Sequence, residues 1–157
     1  MKPMPRRTAT IDEIKRLVGT ELGCSAWAVI DQPRISGFAD VTDDHNAVHL
    51  DPTVGERLGL GGTIAHGFLT LSMLWALQSP IVPRPVNATH GYNYGLDSVR
   101  FLAPVRCGKR IRGRFVLDSF DERKPGEWRY VVDVKIEIEG EAKPALAAKW
   151  LSTSYVP

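Results

Sequence analysis

The stretch Asp43-Asp44-His45-Asn46-Ala47-Val48-His49-Leu50-Asp51-Pro52 leads, after a short connection, to Gly61-Gly62-Thr63-Ile64-Ala65-His66-Gly67 and then to Phe68-Leu69-Thr70-Leu71-Ser72-Met73-Leu74-Trp75-Ala76-Leu77. Carboxylates and imidazoles crowd its first part, glycines mark a turn in its middle, and its last part is the most apolar helix-length segment of the sequence. A polar loop beside the start of a buried helix combines proton chemistry with unpaired backbone N–H donors. The helix is expected from His66 or Gly67 to about Ser79, where Pro80, Pro83 and Pro85 stop it. Its apolar residues cover almost the whole circumference, which predicts burial on most sides.

Upstream, Thr10-Ile11-Asp12-Glu13 has the pattern of a capping box and predicts a short helix to about Val18, ended at Gly19. Trp27-Ala28-Val29-Ile30 reads as a strand. Asp31 and Pro33 then open a second helix whose apolar face carries Ile35, Phe38 and Ala39 and which points into Asp43 and Asp44. Pro52 opens a short helical turn through Arg57, broken by Gly59, Gly61 and Gly62. Beyond the prolines the texture changes. Residues 92–101, 110–117, 130–138 and 145–155 read as successive strands, most clearly where Tyr130, Val132, Val134, Ile136 and Ile138 alternate with Asp133, Lys135 and Glu137. Lys124-Pro125-Gly126 and Gly140 mark turns between them.

Helices first and consecutive strands afterwards favour an α+β fold with an antiparallel sheet over a parallel βαβ architecture. A sheet wrapped around one apolar helix uses both halves of the chain. With no internal repeat and no linker, residues 1–157 are expected to form a single domain. The free edges of such a sheet predict pairing in a dimer.

Composition excludes several classes. The chain has 157 residues, 43% hydrophobic and 24% charged, an ordinary globular balance. A net charge of +2 is too small to indicate a nucleic-acid partner. Cys24 and Cys107 lie far apart and read as reduced thiols. The basic N-terminal stretch leads into Thr8-Ala9-Thr10 rather than an apolar run, and no segment is long and apolar enough to span a membrane. A soluble, cytoplasmic protein without a membrane partner is expected.

Asp44-x-Asn46-x-x-His49 followed by Ala65-His66-Gly67 resembles the MaoC-like, (R)-specific enoyl-CoA hydratase family of hot-dog folds. The fuller set, Thr63 to Thr70 with Asn93-Tyr94-Gly95-Leu96 and Val99-Arg100-Phe101, is similar to the branch related to nodulation protein N and its actinobacterial hydratase relatives. The likeness covers roughly residues 11–155. Two positions depart from the common pattern: Asp43 stands where the family has Gly, and Ala47 where it has Pro. The resemblance implies a long helix wrapped by an antiparallel sheet, usually in a homodimer. It implies addition of water across a trans-2-enoyl-CoA to give the (R)-3-hydroxyacyl-CoA, or the reverse dehydration. In that reading Asp44 and His49 activate the water and the Gly67 N–H binds the thioester oxygen.

These residue types suit the chemistry. Hydration needs water delivered to the β-carbon, a proton to the α-carbon, and stabilisation of the enolate-like oxygen between those events. Asp44 and His49 can hold one water between them and exchange its protons. Asn46 can orient that water or brace the loop, and His66 caps or packs at the helix start. Gly67 lets a thioester approach a helix-terminal N–H closely, a donor worth about 3–4 kcal/mol in a transition state. No cofactor is required, because the thioester supplies the activation. Blander roles exist: Asp44 as a turn cap, His49 as a satisfied buried histidine. His45 and His49 have the spacing of metal ligands on a helix, but Asn46 and the loop-like context argue against a helix there, so no metal is expected. Arg110, Arg112 and Arg114 alternate along a strand; the plain reading is a solvated face, the sharper one a landing site for CoA phosphates at Arg110 and Arg112. His90 is expected to be exposed. The alternatives to a hydratase are a hot-dog thioesterase and a non-catalytic acyl-CoA-binding protein.

Overall fold

The computed structural model describes residues 6–157; residues 1–5 of the basic N-terminal stretch lie outside the described residues. Strand β1 (Thr8–Ala9) precedes helix α1 (Ile11–Arg16), whose capping box forms as the sequence predicts. The Thr10 hydroxyl accepts from the Glu13 N–H at 3.2 Å and the Glu13 carboxylate accepts from the Thr10 N–H at 2.7 Å. The helix stops two residues earlier than expected, because the chain turns through Gly19 at φ 78° and the Gly19 N–H donates to the Leu117 carbonyl.

Strand β2 (Glu21–Cys24) was not legible: a bulge between Glu21 and Gly23, the latter at φ 124°, breaks the alternation. Strand β3 (Ala28–Val29) and helix α2 (Gln32–Thr42) follow as expected, with Asp31 capping α2 and Asp43 ending it in the left-handed region at φ 57°. Next come two short helices, α3 (Ala47–Leu50) and α4 (Pro52–Arg57). The expectation of a loop around His49 is corrected here. The Asn46 side chain accepts from the Val48 N–H, so the residue taken as a sign of a loop is the N-cap of a single helical turn.

The central helix is two segments, α5 (Gly67–Ser72) and α6 (Leu74–Gln78). They stay coaxial through Met73, whose N–H donates to Leu69 O and whose carbonyl accepts from Leu77 N–H. Leu69, Met73, Leu74 and Leu77 are buried, but Phe68 is 67% and Trp75 47% exposed, so one face of this helix is open in the single chain, contrary to the expected all-round burial.

Strand β4 (Arg84–Pro85) pairs in parallel with β1. The main sheet contains β5 (His90–Phe101), β6 (Arg110–Lys124), β7 (Glu127–Ile138) and β8 (Leu146–Tyr155). Its order is β2-β6-β7-β8-β5, antiparallel throughout, with β3 also on β6. The turn expected at Lys124-Pro125-Gly126 joins β6 to β7. Alternate residues of β6 and β7 form the core, including Ile111, Phe115, Leu117, Val132, Val134 and Ile136. Burying one such side chain stabilises the fold by about 1.5–3 kcal/mol. Gly113 makes room for the helix: a Cβ there would lie 3.4 Å from Leu77 Cβ and 2.4 Å from the Phe115 ring. An antiparallel sheet curled around a central helix is the α+β hot-dog arrangement that the resemblance implies.

Candidate active site

Three elements converge on His49. The loop after α2 carries Asp44, α3 carries His49, and the start of α5 carries His66 and Gly67. One side-chain nitrogen or oxygen from each of Asp44, His49 and His66 lies within 4.8 Å of the other two. His66 is buried, His49 half-buried and Asp44 exposed, so the cluster grades from core to solvent.

Hydrogen bonds define the protonation of both rings. His49 Nδ1 lies 2.8 Å from the Ile64 carbonyl oxygen. A carbonyl only accepts, so neutral His49 carries its proton on Nδ1 and leaves Nε2 as an open lone pair. His66 Nε2 lies 3.0 Å from the Asp44 carbonyl oxygen and 3.9 Å from Asp44 Oδ2. Neutral His66 is therefore the opposite tautomer, with a buried Nδ1 that has no partner among the described residues. The two rings stack with centroids 3.7 Å apart, and Phe38 packs against His66 at 5.1 Å.

Supports for this arrangement come from residues the sequence did not single out. Gln32 Nε2 donates to the His49 carbonyl at 2.9 Å, and its Oε1 accepts from the Thr63 hydroxyl at 2.6 Å. One side chain at the start of α2 thus ties α3 to the strap leading into α5. No periodicity or motif marks Gln32. Asn46 serves the loop itself: its Oδ1 caps α3 and its N–H donates weakly to Asp44 Oδ1 at 3.4 Å.

Beside His49 is a cleft of about 300 Å³, lined among others by His49, Ala65, Gly67, Thr70, Phe101 and Val105. Gly67 is the first residue of α5, where helix geometry leaves the N–H without an intrahelical acceptor. A Cβ at Gly67 would lie 3.0 Å from the Phe101 ring. The imidazole and the helix start therefore line one cavity, and a side chain at Gly67 would press on the Phe101 ring that lines it too.

The remaining predicted positions are not brought to this cluster. His45 turns away and meets Asp40, Nε2 to Oδ1 3.1 Å, so it forms no pair with His49. Arg112 lines a different depression, with its guanidinium 4.6 Å over the Trp27 ring, and is joined to Glu137 at 2.6 Å. Arg110 chelates Glu139, which raises its pKa, and Arg114 joins Glu137 and Glu21. The basic row is thus matched by carboxylates from β7, its following turn and β2. His90 is exposed, as expected, and stacks on Tyr155.

A sequence model of the MaoC-like domain matches residues 13–139. The chain belongs to the MaoC-like dehydratase family. Nodulation protein N of Rhizobium meliloti is 44% identical over 144 residues, covering 91% of this MaoC-like chain and 89% of that one. The 3-hydroxyacyl-thioester dehydratase Z of Mycobacterium tuberculosis is 36% identical over 144 residues, covering 92% and 95%. Among solved structures, the (R)-hydratase of A. caviae involved in PHA biosynthesis superposes with a TM-score of 0.70 at 21% identity, covering 89% of this chain and 96% of that one. An Archaeoglobus monoamine oxidase regulatory protein superposes with a TM-score of 0.77 at 20% identity, covering 98% and 99%. The family resemblance read from the Asp44-to-Gly67 motif and the hot-dog fold it implied both hold for this MaoC-like protein.

Proposed function

We propose that the chain hydrates trans-2-enoyl thioesters to (R)-3-hydroxyacyl thioesters, or runs the reverse dehydration, with CoA as the carrier. The observation that carries this reading is the convergence of Asp44, His49 and His66, one side-chain polar atom of each lying within 4.8 Å of the others, with His49 lining the same cleft as Gly67 at the helix start. His49 and Asp44 hold the attacking water. His49 Nε2 takes one proton of the water as its oxygen adds to the β-carbon, Asp44 bears on the same water through its carboxylate, and the Asp44–His49 pair then returns a proton to the α-carbon, which completes the addition. Charge that develops on the thioester oxygen is met by the Gly67 N–H at the positive end of the helix. His66 positions the pair by donating to the Asp44 carbonyl and by stacking under His49. The relative named as a 3-hydroxyacyl-thioester dehydratase supports the same chemistry.

Both imidazoles donate to carbonyls. Their tautomers leave His49 Nε2 and the Asp44 carboxylate as the open groups, with the remaining His66 lone pair buried on Nδ1. The reaction proposed is a proton transfer that uses no cofactor. Arg110 and Arg112 remain candidates for the CoA phosphates only if those phosphates displace Glu139 and Glu137.

The working form is a homodimer in the cytoplasm, built as a single domain. Among the described residues β5 pairs only with β8, leaving a twelve-residue edge that exposes Tyr92, Tyr94, Leu96 and Phe101 beside exposed Phe68 and Trp75. A long apolar edge of this kind is stable in water only when paired or covered. No helix among the described residues is long and apolar enough to cross a membrane.

The test follows crotonyl-CoA by loss of enoyl-thioester absorbance, with a thiol reagent present. Absorbance loss without free thiol, abolished in Asp44→Asn and His49→Ala, supports the hydratase. Free thiol sinks it in favour of a thioesterase, and binding without turnover in favour of an acyl-binding protein.

A further inference from the structure

The end of the central helix remote from His49 holds a second polar cavity. It measures about 40 Å³ and is bordered by Arg6, Trp75, Gln78, Arg84, Tyr130 and Thr153, among others. At about 10–15 Å³ per water, it has room for about three small polar atoms. Three buried polar atoms at this cavity, Arg84 Nε, the Tyr130 hydroxyl and Thr153 Oγ1, have no hydrogen-bond partner among the described residues. Buried polar groups are nearly always paired, and leaving one unpaired is costly. Three such atoms around one cavity mark a place for a polar guest.

The charge of that guest follows from the lining. Two guanidiniums, Arg6 and Arg84, face the cavity, and no Asp or Glu lines it. The parallel pairing of Thr8 with Arg84 brings the N-terminal segment alongside, and Arg6 lies 4.6 Å over the Trp75 ring. Burial, and then the neighbouring Arg84, hold Arg6 below the ordinary arginine value. An anion between the two guanidiniums relieves that repulsion. Burial pushes the Tyr130 hydroxyl well up, so it stays a neutral donor. Arg84 spends Nη2 on the Ala88 carbonyl, which anchors the side chain and leaves Nε for the guest.

Three depressions follow one another from the His49 cleft to this cavity, between the central helix and β5. Helix and β5 residues line each of them together, in opposite chain order. Gly67 faces Phe101 at the cleft, Leu71 and Trp75 meet Leu96 and Tyr94 along a middle section of about 280 Å³, and Gln78 meets Gly91 at the polar end. At 1.5 Å per helical residue, Gly67 to Gln78 spans about 16 Å.

We propose that the Arg84–Tyr130–Thr153 cavity binds a carboxylate, and that this carboxylate is the distal end of an ω-carboxylated acyl chain lying along these depressions, beneath the partner subunit that covers the β5 edge in the dimer. The acyl-chain assignment rests on the enoyl-thioester reading above; the anion site does not. The chemistry recognised is the same for a free carboxylate or phosphate, so the test separates the sources.

Calorimetric titration is run with dodecanedioyl-CoA (one carboxylate free), lauroyl-CoA, acetate and inorganic phosphate. Both thioesters are saturated, so binding is read without turnover. Dodecanedioyl-CoA is expected to bind at least about tenfold more tightly than lauroyl-CoA, as a buried charged hydrogen bond requires. Arg84→Met removes that advantage, and Tyr130→Phe, which keeps the buried ring, reduces it by about threefold or more. Equal affinities of the two thioesters, or an advantage that survives Arg84→Met, overturn the acyl-chain assignment. Arg84-dependent binding of acetate or phosphate in that case assigns the cavity to a free anion. Absence of Arg84-dependent binding for all four probes overturns the site altogether, leaving a cavity filled by water. If Arg84→Met fails to fold, Tyr130→Phe decides by the same comparison. Arg84-dependent acetate binding in a protein inactive on crotonyl-CoA sinks the enoyl-thioester reading and leaves the anion site standing.

Discussion

His49 and His66 stack with ring centroids 3.7 Å apart and planes 27° apart, yet they carry their protons on opposite nitrogens. The Ile64 carbonyl fixes one tautomer and the Asp44 carbonyl the other. In the proposed mechanism the pair divides the work: His49 presents a lone pair to the water, and His66, bonded to the Asp44 carbonyl, holds the loop that carries the carboxylate. Nitrogen-15 shifts of the two rings at neutral pH are expected to show His49 protonated at Nδ1 and His66 at Nε2. His49→Ala is expected to lower kcat by about 10²–10⁴-fold, the range of a general base. His66→Ala is expected to lower it by about 10–100-fold, the range of a residue that orients a reacting group. Equal losses in the two variants would refute this division.

The two departures from the family pattern have structural addresses. Asp43 is the C-cap of α2 and, among the described residues, the one non-glycine with positive φ. Asp tolerates that region better than most residues, but glycine is the usual choice there. Asp43→Gly is expected to change stability by less than about 1 kcal/mol, whereas Asp43→Val is expected to cost about 1–2 kcal/mol. Ala47 is the first residue of α3, a position that suits proline, and Asn46 before it already has φ −57° and ψ 131°. Ala47→Pro is therefore expected to stabilise by about 0.4–1 kcal/mol. Urea unfolding of the three variants checks each sign.

Gly67 and Phe101 are coupled through a single missing methyl. A Cβ at Gly67 meets the ring at 3.0 Å, so the Phe101 ring, which lines the cleft and packs on Phe68 at 5.7 Å, must shift to admit it. Gly67→Ala is expected to reduce kcat/KM by about tenfold or more while costing about 1–3 kcal/mol of stability. In Gly67→Ala/Phe101→Leu the steric part is relieved, so the double variant is expected to be more active than Gly67→Ala alone. Strict additivity of the two changes would show that the ring and the glycine do not share the site.

Much of this was legible in sequence because local signals and tertiary structure agree. The Thr10–Glu13 box, the Asp31 cap and the strict alternation from Tyr130 to Ile138 each have a period or spacing that one element satisfies. The Asp44-x-Asn46-x-x-His49 motif with His66-Gly67 placed the acid, the imidazoles and the helix start together before any coordinates. Other features were hidden for physical reasons. The bulge at Gly23 removes the alternation of β2, and α3 is one turn, too short to show a helical period. The exposed faces of Phe68 and Trp75 read as core because an apolar side chain at helical spacing looks the same in sequence whether it faces the sheet or the outside. The pairing of Arg110 and Arg112 with Glu139 and Glu137 depends on cross-strand register, which residue spacing alone does not give.

Those ion pairs predict a pH dependence. A hydrogen bond from Arg114, with Arg112 second among the favourable contributions, holds the Glu137 carboxyl below the usual glutamate range. Its folded pKa is thus lower than its unfolded one, so its contribution is present above the unfolded value near 4.5 and is lost as pH falls through the folded value. Because the pair is partly solvated, the contribution is at most about 1 kcal/mol. Glu137→Gln is expected to be less stable than the parent at pH 7, with the gap narrowing below pH 4.5. A gap that widens on acidification would reverse the sign of the argument.

Gly55 holds the strap of the active site from behind. It is buried in α4, and a Cβ there would fall 1.8 Å from the Gly62 carbonyl oxygen, a backbone atom that cannot swing aside. Helix α4 and the turn at Gly61-Gly62 must therefore part. That turn leads directly into Thr63, which bonds Gln32, and Ile64, whose carbonyl fixes His49. The damage should reach chemistry as well as stability. Gly55→Ala is expected to cost about 3 kcal/mol or more, the upper end for overpacking, and to lower kcat at temperatures where the variant is still folded. Glu56→Ala, one residue on and exposed, serves as the control and is expected to stay within about 0.5 kcal/mol of the parent. Circular-dichroism melts and crotonyl-CoA turnover at matched folded fractions separate the two effects. A Gly55→Ala protein that melts with the parent would show that the helix and the turn are free to separate and that the strap is held elsewhere.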